Sequence, residues 1–152
     1  MRLYLVQHGA AVPEVEHPDR PLSAPGHAEV ERVARAAGRS GLDVNEIRHS
    51  GKRRAQETAE ILAAHLRPNG GVSQMPGLAP LDDPRLAWQA VLEFERPVML
   101  VGHLPHLSRL VSALLVGDPA PDIVAFRMGG IVCLGRGETG WRVEWILTPE
   151  LV

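Results

Sequence analysis

A single cysteine, a single lysine and the lack of any long apolar run set the first limits on this 152-residue chain. Cys133 alone can close no intrachain disulfide and supply no multi-cysteine zinc site, which fits a reducing cytoplasm. No apolar stretch approaches the roughly 18 residues that suggest a membrane span. The chain opens on the strand-like "RLYLVQ" instead of a basic segment, an apolar core and a cleavage site. We therefore expect a cytoplasmic protein with no membrane partner. The formal charge is only −2, which offers no broad attraction for nucleic acid, so any anion recognition has to be local. Of the sixteen basic residues only Lys52 is lysine. Arginine's planar fork suits phosphate, although a general bias toward arginine gives the same count.

What is present reads as one globular domain over residues 1–152, with 45% hydrophobic and 22% charged residues and no repeat, low-complexity tract or linker. "RLYLV" has the length and residue types of a buried strand. Ser23 caps a helix over 24–39 with Val30, Val33, Ala34 and Ala37 on one face. A short strand in "VNEIRHS" ends near Ser50, and "RRAQETAEILAAHL" follows as a strong helix former, with Ala55, Ala59, Leu62 and Leu66 at apolar positions. A weak strand near "GVSQM" precedes a helix in "DPRLAWQAVLEFE", with Asp83 as its cap and Pro84 in its first turn. "PVMLVG" is the clearest buried strand, "LPHLSRLVSALLVG" a helix with Leu107, Leu110, Val111 and Leu114 on one face, and "IVCLGRGETGWRVEWIL" a hairpin. This alternation implies an α/β three-layer sandwich with a mainly parallel central sheet and a C-terminal hairpin.

Sites in such sheets lie beyond the carboxyl ends of the strands. Those ends carry His8 in "LVQHGAAVPE", Ser50 with Arg54 just inside the next helix, and His103. Each has an ordinary reading beside the chemical one. His8 is a nucleophile or a hydrogen-bonded polar residue closing a strand. Arg53 and Arg54 point about 100° apart on their helix, and its apolar face does not choose between them. His103 and His106 form an i, i+3 pair that could suggest zinc, but without an HExxH arrangement or cysteine ligands we expect no metal and no cofactor.

Taken together, "QHG" at 7–9, "HSGKRRAQETAEIL" at 49–62 and "VGHLPHLSRLV" at 101–111 resemble the histidine phosphatase superfamily, with its phosphoglycerate mutase-like fold. The short length, "DRPLSAPG" at 19–26 and "GHLP" at 102–105 resemble its SixA-type phosphohistidine phosphatases. The resemblance implies that His8 attacks phosphorus in line to form a phosphohistidine intermediate that water hydrolyses. A neutral imidazole is a competent nucleophile, and the covalent intermediate divides one hard displacement into two easier ones. It further implies that Arg54, from the pattern Ser50, Arg54, Ala55, Thr58, and His103 stabilise the phosphoryl group. Gly9 would let the backbone approach that group. Arg20 in "DRPLS" is a secondary phosphate contact or an ordinary loop arginine.

Gln7 departs from the family's Arg-His-Gly, bringing a hydrogen bond without charge. Losing one pre-organised donor typically costs about 2.7–4 kcal/mol, against the roughly 8–23 kcal/mol by which enzymes lower barriers, so catalysis is slowed and not necessarily abolished. Arg20 is the first candidate to compensate. Asp83 or Asp82 in "GLAPLDDP" is a candidate proton donor, with an N-cap role the alternative for Asp83. The resemblance thus implies a metal-independent phosphatase acting on a phosphohistidine-bearing protein. A small phosphorylated substrate, or a catalytically weak phosphohistidine-binding pseudo-phosphatase, is the alternative.

Overall fold

Strand alternation builds the layers. The computed structural model describes residues 1–152. In β1 (Arg2–Gln7), Leu3 and Leu5 face one side of the sheet while Tyr4 and Val6 face the other. The same split recurs in β4 (Val98–Gly102), with Val98 and Leu100 opposed to Met99 and Val101. In β5 (Ile131–Gly137) it sets Val132 and Leu134 against Ile131 and Cys133. The first set packs against α3 (Pro84–Leu92) and α4 (His106–Val116). The second packs against α1 (Ala24–Arg39) and α2 (Arg53–Leu66), through Val33, Ala34, Ala37, Ala55, Ala59 and Leu62. Two apolar cores on opposite faces of one sheet give the three layers, each fully buried Leu or Val contributing roughly 1.5–3 kcal/mol.

The six strands run in the order β3-β2-β4-β1-β5-β6, where β2 is Glu46–His49, β3 is Val72–Gln74 and β6 is Gly140–Leu147. β3, β2, β4 and β1 are mutually parallel, whereas β5 and β6 add antiparallel strands through the C-terminal hairpin. A closing 3₁₀ turn spans Pro149–Leu151. No helix is long and apolar enough to cross a membrane. α3 stops at Leu92, short of the "EFE" end expected from sequence, because Phe94 leaves the helix to bury itself in the α3/α4-side core.

Two glycines set how closely the first loop approaches α1. A Cβ on Gly9 would fall 2.6 Å from Val30 Cγ2, and one on Gly26 would collide with the Ala10 carbonyl oxygen and lie 2.9 Å from the Ala10 nitrogen. Ser23 completes the joint, its hydroxyl accepting from the Gly26 N–H at 3.1 Å and donating to the Ala10 carbonyl at 3.2 Å. At an open helix position Gly→Ala is favourable by up to about 1 kcal/mol. Here overpacking dominates, so Gly26→Ala should destabilise the protein by about 1–3 kcal/mol, lowering Tm by roughly 2–4 °C per kcal/mol. A thermal melt showing an unchanged or higher Tm would contradict this account of the α1 contact.

Candidate active site

The parallel pairing of β1 with β4 places Gln7 opposite Gly102, and the His8 N–H extends the ladder by donating to the Gly102 carbonyl at 3.0 Å. His8 and His103 therefore leave adjacent strand ends together. Their ring centroids lie 4.9 Å apart with the planes inclined at 52°. The His8 Nδ1 lies 2.6 Å from the Gly9 carbonyl oxygen. A carbonyl can only accept, so Nδ1 carries the proton and the lone pair sits on Nε2. Burial lowers the pKa of His8, and the charges of Arg54 and Arg20 lower it further, against an opposing effect of the Gly9 hydrogen bond. The ring is thus held neutral, the form that can attack an electrophile.

His103 is 1% exposed, and its Nε2 lies 2.6 Å from Ser50 Oγ. Ser50 Oγ also accepts from the Lys52 backbone N–H at 3.3 Å, and the hydroxyl can donate to Nε2 or accept from it. Nδ1 of the same ring is buried and has no partner in the chain. Burial, followed by the charges of His8, Arg54 and Lys52, pushes the His103 pKa from 6.5 down to about 3.

Arg54 opens α2, and its Nε is likewise buried without a partner. Both nitrogens of His106 are also buried without a partner. Thr58 ties these parts together. Its Oγ1 accepts from the Gly9 N–H at 3.0 Å and donates to the Arg54 carbonyl at 2.8 Å, joining the loop after β1 to the first turn of α2. Glu57 does the same for the next loop, accepting from the Leu22 N–H at 2.8 Å. Arg20 precedes that contact in a left-handed backbone conformation (φ 48°), with Nε donating to the Val12 carbonyl at 3.2 Å. Such a conformation is uncommon for a residue other than glycine and concentrates where surrounding structure imposes it.

Arg20, Lys52, Arg53 and Arg54 line one open cleft of about 880 Å³, together with Asp82. Arg53 is offset by Glu57 at 3.6 Å, whereas Arg54 has no such partner. Asp83 requires a correction. Its carboxylate caps α3 by accepting from the Arg85 N–H at 3.0 Å and pairs with the Arg85 guanidinium at 2.7 Å. It lines a separate concavity with Trp88 and Pro105, while its neighbour Asp82 faces the cleft. Capping chemistry wins because Pro84 starts the helix immediately after it.

Gly9 also differs from expectation. Its N–H is taken by Thr58 and the space a Cβ would fill by Val30, so the glycine serves close packing. Gln7 sits at the end of β1, where its carbonyl accepts from the Gly129 N–H at 2.8 Å. Glu14 and Asp19, not singled out in the sequence, also line the cleft. Glu14 carries no motif and Asp19 only opens the "DRPLSAPG" segment, and the fold of the 10–23 loop brings them there. His49 is buried with Nδ1 accepting from the Gly51 N–H at 3.1 Å, a turn-capping role.

The model of the histidine phosphatase superfamily (branch 1) matches residues 3–82. An uncharacterized protein of Picosynechococcus sp. is 34% identical over 145 residues, covering 90% of this chain and 86% of that protein. Among solved structures, the protein histidine phosphatase SixA complexed with tungstate superposes with a TM-score of 0.86 at 23% identity, over 99% of both chains. A phosphoserine phosphatase variant from Entamoeba histolytica in complex with phosphoserine gives 0.76 at 14% identity, over 98% of both. These structural likenesses are likenesses of fold.

The folded state holds His103 neutral, while the unfolded chain takes up its proton near pH 6.5. This stability is complete above about pH 6.5 and drains as the pH falls toward 3. His8, His49 and His106 shift in the same direction. Urea unfolding between pH 6 and 4 should show His103 contributing a loss approaching 1.4 kcal/mol per pH unit. The slope should be shallower in His103→Asn; an equal slope would place the titration elsewhere.

Proposed function

The chain belongs to the histidine phosphatase superfamily, branch 1, and on that premise we propose that it is a phosphatase that removes the phosphoryl group from phosphohistidine on a partner protein through a covalent intermediate on His8. The observation that carries this reading is the unprotonated Nε2 of His8 on a ring whose centroid lies 4.9 Å from that of His103.

In the first step Nε2 of His8 attacks phosphorus in line. The P–N bond of the substrate breaks, its electron pair returns to the departing imidazole nitrogen, and that nitrogen takes a proton from water or Asp82. Arg54 and the His103 Nδ1–H hold non-bridging oxygens, where charge spreads in the transition state. In the second step water attacks phosphorus, releasing orthophosphate and restoring the His8 lone pair. Neutral His103 suits this task, since it donates one hydrogen bond without the repulsion a second cation would set up against Arg54.

Imidazole leaves far more easily than an alkoxide, so the reading needs no strong acid and is served by an open cleft. A second reading, a small-molecule phosphomonoesterase, is favoured by one observation: Glu14, Asp19 and Asp82 all line the cleft and could protonate an alkoxide. The pseudo-phosphatase reading rests on Gln7 alone, and retention of His8, Arg54 and His103 argues against it, because a pure binding module needs no nucleophile.

Incubation with a labelled phosphohistidine protein, quenched into alkali to preserve P–N bonds, should place label on His8 of the parent and none on His8→Ala. Arg54→Ala and His103→Ala should each lower kcat about 10²- to 10³-fold. Orthophosphate release from His8→Ala at the parental rate would rule out the covalent route, and binding without label or release would identify a reader. A kcat/KM higher for phosphoserine than for phosphohistidine protein would favour the esterase.

Arg20→Ala tests the secondary contact separately. A rise in KM for the phosphorylated substrate is expected, with the thermal melt checked in parallel. Unchanged kinetics would leave Arg20 as an ordinary loop arginine.

A further inference from the structure

We propose that Lys52 is a phosphoryl-contacting residue, its ammonium supplying positive charge at the mouth of the cleft. The proposal rests on the phosphatase reading for its kinetic consequence but not for its anion-binding one.

Local chemistry argues against a lysine at this position. Lys52 is the N-cap of α2, yet its side chain makes no cap hydrogen bond. Ser, Thr, Asp or Asn is preferred there, because their oxygens accept the free N–H groups of the first turn. The helix macrodipole also disfavours cations at this end. Nevertheless Lys52, Arg53 and Arg54 follow one another, and the first turn holds no acidic residue. Arg53 is relieved by Glu57. Lys52 and Arg54 form no ion pair with any carboxylate of the chain. A residue that breaks the local rule without an ion pair of its own, in a cleft it shares with Glu14, Asp19 and Asp82, points to a partner from outside the protein.

The outside partner is an anion held in common with the catalytic groups. Lys52 lines the same cleft as Arg20 and Arg54. Its backbone N–H donates to Ser50 Oγ, which in turn contacts the His103 ring, so its position relative to that ring is set by two hydrogen bonds. The influence of its charge on His103 agrees with this proximity. Arg54, on the same cleft, has a buried Nε without a partner. A lysine on a flexible stem delivers a compact charge to a tetrahedral oxygen without the planar geometry arginine demands.

Tungstate serves as the tetrahedral probe, with affinity measured by calorimetry at neutral pH. Lys52→Met should weaken binding about 10- to 100-fold, the range for losing a charged hydrogen-bond partner, while Lys52→Arg stays close to the parent. Lys52→Met should melt at or above the parental temperature, since it removes a cation from the positive end of α2; a residue with only a structural role would show the reverse. No tungstate binding by the parent, or equal affinity in Lys52→Met, would overturn the proposal. In the labelling experiment, a parent that never labels His8 sinks the phosphatase reading while the tungstate comparison still decides Lys52. A labelled parent matched in rate by Lys52→Met sinks the Lys52 proposal alone.

Discussion

One backbone hydrogen bond, from the His8 N–H to the Gly102 carbonyl at 3.0 Å, fixes the geometry on which the site depends. It prolongs the β1–β4 ladder by one residue past the point where both strands end, so the two imidazoles start from neighbouring main-chain positions. A slip of one residue in that register would turn His8 to the opposite face of the sheet and Leu5 out of its core. The apolar alternation of the two strands, which divides Leu3 and Leu5 from Tyr4 and Val6, opposes such a slip. Packing energy thereby becomes positional accuracy at the strand ends.

Around this pair the chain gathers positive charge and leaves part of it unpaired. Arg54, Lys52 and Arg20 share a cleft with few compensating contacts, and the imidazoles respond by staying neutral. Arg54 Nε and His103 Nδ1 are both left buried without a partner. Thr58 and Glu57 hold the strained frame, each linking α2 to a loop that would otherwise be free to relax away from the charge. They lie three and four residues beyond Arg54 on the same helix, so a rigid element sets the spacing of all three.

Much of the fold was legible because its signals are local. Ser23 before α1, Pro84 at the start of α3, Gly117 after α4 and the turn before Gly140 are read residue by residue. Asp83 shows where such reading divides: one carboxylate suited both a helix cap and a proton donor, and the neighbouring Arg85 decided for the cap. Gly9 shows it again, since the need for a glycine was visible while the occupant of the space, Val30, was not.

By itself the sequence determined the strand and helix alternation, the layers that follow from it, and the three segments carrying His8, Arg54 and His103, because periodicity, capping and motif spacing act over a few residues. Only the tertiary structure decided which nitrogen of His8 is free, which of Arg53 and Arg54 lacks a partner, that Asp82 and not Asp83 faces the cleft, and that Glu14 and Asp19 join it. Those outcomes depend on contacts between segments far apart in the chain, where a carbonyl, a carboxylate or a methyl group from elsewhere supplies the deciding neighbour.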